Sequence, residues 1–217
     1  MENKLSRYDR DTEYWNDYYR SVEATATEPS KFAKDILKYL QSGKKMLELG
    51  CGNGRDTIFF ADNGMNVTGI DASNFAITAL SERYENKNLH FICDDFVSSK
   101  ILFEEKFDYC YARFVLHAIT GEQEEILLRN IGNVLNEGGI FFIEARTIHD
   151  DIYGKGTRVG RHEFLYNNHY RRFIDAKEIE KNIKNSGVFK ILYMEEGKDF
   201  APTENSNPTL LRIIVKR

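Results

Sequence analysis

Seven short apolar runs divide this chain, and the stretches between them carry helical stripes. Met46, Leu47 and Leu49 make the first run, dense enough for a strand buried on both faces. Further strands are predicted over Asn66–Asp71, Leu89–Cys93, 107–112, 140–145, 188–194 and Leu210–Lys216. Between them, Phe32, Ile36, Leu37 and Leu40 form one stripe over 31–41, with Ser30 as its cap. A second helix runs from Gly54 to Asp62 and stops at Asn63-Gly64. Ser73 caps a third to about Tyr84, with Ala76, Ile77 and Leu80 inward. Thr120 and Gln123 form a capping box for a helix to Leu135, and Asn136–Gly139 reads as a turn. Asp175 with Glu178 opens a last helix that ends at Gly187. Strands alternating with helices predict an α/β fold, a doubly wound and mostly parallel sheet in one domain over 1–217.

Two stretches depart from this rhythm. Residues 1–28 crowd Tyr8, Tyr14, Trp15, Tyr18 and Tyr19 together, and a four-residue spacing puts Tyr14-Trp15 and Tyr18-Tyr19 on one helix face. That face either packs on the sheet or forms a lid. Residues 147–173 hold three glycines, several aromatic residues and a run of basic side chains.

The chemistry concentrates at the first turn. Gly50, Gly52 and Gly54 let the backbone turn sharply and approach a ligand, and Asp71 follows where an acid can accept hydrogen bonds from ribose hydroxyls. The spacing G-x-G-x-G is one residue shorter than a dinucleotide fingerprint. Glu48, two residues earlier, would repel a pyrophosphate and suits a cationic ligand.

Glu48-x-Gly50-x-Gly52-x-Gly54, with the preceding strand and the strand closing on Asp71, resembles the first two motifs of class I S-adenosylmethionine (SAM)-dependent methyltransferases. The likeness spans residues 30–146 and, more loosely, the C-terminal strands. It implies seven strands in the order 3-2-1-4-5-7-6, the last antiparallel, with helices on both faces. It implies SAM as cofactor and S-adenosylhomocysteine (SAH) as product. The turn, Glu48 through Gly50, Cys51, Gly52, Asn53 and Gly54, would wrap the methionyl part. Asp71, followed by Ala72, would hold the ribose. An acid after the third strand would meet the adenine amino group; Asp95 and Asp94 both qualify, the strand phase favouring Asp95. Phe96 could stack on the adenine, and 112–114, including Arg113, would border the cofactor. In such proteins an N-terminal helix often closes the pocket, so 1–28 is expected to be a helical lid, with Arg20 near the methionine carboxylate.

Composition narrows the rest. The chain carries 30 Lys and Arg against 34 Asp and Glu, a net charge of −4, which counts against a large nucleic-acid footprint. No apolar stretch is long enough to span a membrane, and Met1-Glu2-Asn3-Lys4 opens no signal peptide. Three cysteines, Cys51, Cys93 and Cys110, in or beside predicted buried strands, suit reduced thiols and a cytoplasmic chain. No Cys/His spacing suggests zinc, and no metal is expected. His149-Asp150-Asp151 reads as a surface turn.

Methyl transfer needs alignment, exclusion of water and often a base. His117, just after the fourth strand, is the leading candidate, and His162 and His169 are rivals; His90, inside the third strand, reads as structural. The absence of an Asn/Asp-Pro-Pro-aromatic tetrad after the fourth strand weighs against methylation of adenine or glutamine amino groups, and no Pro-Cys pair suggests cytosine chemistry. The segment 147–173 is expected on the substrate side. There Arg158, Arg161, Arg171 and Arg172 could grip an anion, or pair with Asp150, Asp151, Glu163 and Asp175. The resemblance points to a stand-alone bacterial enzyme that methylates a small anionic acceptor at oxygen: phosphorylated, nucleotide-linked or sugar-derived, for cell-surface or secondary-metabolite biosynthesis. An RNA methyltransferase and a SAM-binding regulatory protein without turnover are the rivals.

Overall fold

The computed structural model describes residues 7–21, 28–167 and 169–217. Of the expected 1–28 lid, residues 1–6 and 22–27 lie outside the described residues, as does the side chain of Tyr8. The elements run α1 (Arg7–Ser21), α2 (Lys31–Ile36), β1 (Lys45–Leu49), α3 (Arg55–Asp62), β2 (Asn66–Asp71), α4 (Asn74–Arg83), β3 (Leu89–Cys93), α5 (Ile101–Glu104), β4 (Phe107–Arg113), α6 (Gly121–Val134), β5 (Leu135–Arg146), β6 (Thr157–Gly160), β7 (Glu163–Tyr166), β8 (His169–Arg172), α7 (Ala176–Asn185), β9 (Lys190–Gly197) and β10 (Leu210–Lys216). The main sheet has the order β3-β2-β1-β4-β5-β10-β9, and β10 is antiparallel to both neighbours. Counting only its seven strands, this is the expected 3-2-1-4-5-7-6.

β1 shows why the sheet needs helices on both faces. Successive side chains of a strand alternate between faces. Met46 packs with Phe32 of α2 and Phe60 of α3, while Leu47 and Leu49 pack with Leu127 and Ile131 of α6. All three are fully buried. Glu48 falls in phase with Met46 and therefore points toward α3, where Thr57 meets it. The caps act as read: Ser30, Ser73 and Asp175 each accept a backbone N–H, and Thr120 and Gln123 close a capping box. Each such cap contributes about 1 kcal/mol.

Several details differ from the sequence reading. The α2 stripe gives only six α-helical residues before a 3-10 turn at Leu37–Tyr39. β5 starts at Leu135, and 136–139 form a bulge between the pairs Phe107↔Leu135 and Tyr109↔Ile140. Cys93 is exposed because β3 is an edge strand. The segment after β5 is a three-stranded antiparallel meander, β6-β7-β8, whose short polar strands carry little apolar alternation. Among the described residues no helix is long and apolar enough to cross a membrane.

Candidate active site

A cavity of about 790 Å³ opens at the carboxyl ends of β1, β2 and β4, where open α/β sheets bind ligands. One wall is acidic. Gly50 and Gly52 take left-handed backbone angles (φ 65° and 54°), which side chains disfavour. A Cβ at Gly52 would also come within 2.2 Å of the Tyr19 phenol oxygen, so α1 lies directly over the turn. Asp71 stiffens that turn: its Oδ2 accepts the Gly52 N–H at 2.9 Å and its Oδ1 the Ser73 N–H at 2.8 Å. Burial pushes the Asp71 carboxyl up, against the pull of those two donors. Glu48 is buried and, among the described residues, takes one hydrogen bond, from Thr57 Oγ1 at 2.6 Å. Burial, and then the Asp56 charge, hold its carboxyl well above the usual range. Asp56 is tied down by the Ser30 N–H and hydroxyl and by the Tyr111 hydroxyl, at 2.7–2.9 Å.

The opposite wall is basic. The 3-10 turn Leu116–Ala118 after β4 carries His117, half-buried, its Nδ1 shielded from solvent with no hydrogen-bond partner among the described residues. Burial first, then His169, Arg171, Arg146 and Arg113, hold the His117 imidazole well below its ordinary pKa, so it is neutral at pH 7. Arg113 donates to Glu144 Oε1 at 2.8 Å and stacks on Phe114, 4.2 Å from the ring centre. Phe114 is itself left-handed (φ 58°), and its N–H is anchored on the Glu144 carbonyl. Glu144, fully buried, also binds Arg212, which holds Asp35 of α2 and the Phe200 carbonyl. Arg146 forms a two-pronged pair with Asp150. His169, on β8, is stacked beneath Tyr14 of α1 at 4.2 Å with Trp15 edge-on, and burial lowers its pKa to about 4.

Not every expected residue reaches this cavity. Glu48, Gly50, Cys51, Gly52, Asn53, Asp71, Ala72, Phe96, Arg113, His117, His169 and Arg171 line it. Gly54 sits behind the lining, at the N-cap of α3 against Leu80. Asp95 is off the lining, its carboxylate accepting the Val97 N–H and the Ser98 hydroxyl; Asp94 accepts the Asp95 N–H. Burial raises the Cys51 thiol, which stays protonated beside Gly69. Arg172 is a correction: it points to α6, donating to Glu124 at 2.5 Å and to the Ile119 and Leu116 carbonyls. His162 likewise lies elsewhere, its Nδ1 on the Tyr153 hydroxyl at 2.9 Å. Arg158 bonds the Gly160 carbonyl and Arg161 pairs with Glu178. Arg20 pairs with Asp17 and covers Phe75. His90 is exposed on β3.

Tyr19 reaches the cavity from the expected lid, while Asp56, Arg146 and the β9–β10 loop escaped the sequence reading. Tyr19 and Asp56 flank the glycine turn, Arg146 ends β5, and the β9–β10 loop supplies Ala201, Pro202, Thr203, Ser206 and Pro208. Only the phase of β5, with Arg146 two residues after Glu144, could have pointed to one of them.

Part of the chain is similar to known methyltransferases. Residues 46–139 match the family model described as "Methyltransferase domain". The probable S-adenosyl-L-methionine-dependent methyltransferase TehB of Haemophilus influenzae is 28% identical over 108 residues, covering 50% of this chain and 38% of TehB. The ubiquinone biosynthesis O-methyltransferase of Glaesserella parasuis is 32% identical over 110 residues, covering 48% of this chain and 45% of its own length. The chain thus spans less than half the length of these curated relatives. The 1,6-didemethyltoxoflavin-N1-methyltransferase of Burkholderia thailandensis, solved with S-adenosylhomocysteine, superposes over 100% of this chain and 93% of its own with a TM-score of 0.72 at 18% identity, a likeness of fold.

The residues on the acidic wall fit S-adenosylmethionine. Among the described residues Glu48 is a buried carboxylate with a single donor, a place for a cation, and Asp71 keeps lone pairs for ribose hydroxyls beyond its two backbone donors. Residues 46–139, which match a methyltransferase domain, are set in a seven-stranded sheet whose fold is like that of solved S-adenosylmethionine-dependent methyltransferases.

Proposed function

We propose that the protein transfers a methyl group from SAM to a hydroxyl oxygen of a small anionic acceptor, in cell-surface or secondary-metabolite biosynthesis. The observation that carries this reading is His117: a neutral imidazole with a nitrogen that has no partner among the described residues, on the lining of the cavity that the glycine turn and Asp71 also line. SAM, when bound, supplies the methyl electrophile. The glycine turn, Glu48 and Asp71 hold and orient it. Tyr19 and Trp15 of α1 and the β9–β10 loop cover the cavity and keep water out. His117 takes the proton of the acceptor hydroxyl. The guanidinium groups around it disfavour a charged imidazole; an anionic acceptor offsets them and raises the basicity of His117 when the proton must move. The cavity volume falls within the range of about 300–1,000 Å³ typical of small-ligand sites, and cofactor and acceptor must share it. That argues for a small acceptor and against a nucleic-acid strand.

Incubation with methyl-labelled SAM and a panel of small hydroxylated anions tests the reading. Label on oxygen is expected. Label on nitrogen would overturn the hydroxyl assignment, and SAH binding without any transfer would leave a cofactor-binding protein in place of an enzyme.

A further inference from the structure

Among the described residues, every lysine and arginine on the cavity lining but one has an acid within ion-pair distance. Lys31 pairs with Asp35, Arg55 faces Asp56, Arg113 pairs with Glu144 and Arg146 with Asp150. Arg172, next in sequence to Arg171, is neutralised by Glu124 outside the cavity. Arg171 alone has no acid: among the described residues it makes no ion pair, and its Nε is shielded from solvent with no acceptor. The two histidines beside it, His117 and His169, are neutral and add no charge at pH 7. The basic wall therefore presents one guanidinium without an acid partner among the described residues. A buried charged donor without an acceptor is unfavourable, and a ligand that supplies the acceptor relieves it.

Resting on the methyltransferase reading above, we propose that the acceptor is a hydroxylated monocarboxylate, its single carboxylate on Arg171 and its hydroxyl at His117. A guanidinium fork matches a carboxylate with two parallel hydrogen bonds. A phosphate monoester carries about −1.5 to −2 at pH 7 and would leave charge unpaired on this wall. A nucleotide-linked sugar brings two or more charges to a wall with one guanidinium that lacks an acid partner. Trp15, Phe96 and Phe114 line the remainder, flat apolar surfaces suited to a ring or a short carbon skeleton.

Calorimetry on the SAH-saturated full chain tests this with three probes: 3-hydroxybenzoate, its neutral isostere 3-hydroxybenzamide, and uridine diphosphate glucose. The carboxylate is expected to bind at least about tenfold tighter than the amide. Arg171→Met should abolish that preference, and Arg171→Lys should keep part of it, since a point charge remains. SAH binding by each variant reports that it is folded. Equal affinity for acid and amide, no binding of the acid, a preference that survives Arg171→Met, or tighter binding of the nucleotide sugar would each overturn the proposal. Failure of the wild-type chain to bind SAH would overturn instead the reading on which it rests.

Discussion

The two walls of the cavity differ in charge and in origin. The acidic wall, Glu48, Asp56 and Asp71 around the glycine turn, comes from β1, the start of α3 and the end of β2, all within residues 48–71. The basic wall gathers Arg113 from the end of β4, His117 just after it, Arg146 from the end of β5, and His169 and Arg171 from β8, elements spread over residues 113–171 and covered by α1. A carboxylate wall suits a sulfonium and an ammonium; a guanidinium wall suits an anion. On the proposed function, one cavity would separate a cationic donor from an anionic acceptor, with the histidine that would move the proton on the acceptor side. The first wall is a local device that one loop encodes. The second depends on the whole tertiary fold.

The largest expected effect lies where the two walls meet. His117→Gln should lower turnover by about 10²–10⁴-fold, the range of general-base catalysis, while SAH affinity by calorimetry stays unchanged. Wild-type turnover would remove the base from the basic wall. A matching loss of SAH affinity would instead place His117 on the cofactor side and break the division. Next comes Asp71→Asn, which keeps the shape but loses charge-assisted hydrogen bonds worth about 1.5–3 kcal/mol each. SAH affinity should fall roughly 10²-fold, with retained far-ultraviolet dichroism as the check on folding. Undiminished binding would show that the acidic wall does not hold the cofactor.

The difference in origin also explains what could be read from the sequence. Glu48, the three glycines and Asp71 sit in one short stretch whose strand–turn–helix phase is fixed by apolar spacing, so their convergence was legible. The basic wall was not, because its phase was hidden. Arg171 and Arg172 are neighbours on β8 and point to opposite faces, one to the cavity and one to Glu124. His169 shares the face of Arg171 through the same two-residue period. Recognising 169–172 as a strand would have separated the two arginines, but the run His169-Tyr170-Arg171-Arg172 has no polar–apolar alternation to announce one. Asp95 failed to reach the lining for a local reason: its carboxylate folds back on Val97 and Ser98 to cap the turn after β3.

The smallest effect concerns how α1 closes the basic wall. His169 is 2% exposed beneath Tyr14 and Trp15, with a pKa of about 4 in the fold against about 6.5 in the unfolded chain. Between those values the unfolded chain binds a proton that the folded chain refuses, so this residue's contribution to stability falls as pH drops through 6.5 and levels off below about 4. From pH 7.5 to 5 the loss is about 2 kcal/mol. His169→Phe keeps a ring under Tyr14 and cannot titrate. The stability of wild type minus that of the variant, from urea unfolding, should therefore drop by about 2 kcal/mol between the two pH values, whatever the other groups contribute in common. A difference that does not move with pH would mean that His169 protonates freely in the folded state. In that case α1 would not seal the acceptor side in solution, and the basic wall would be an open face and not the inner surface of a shared cavity.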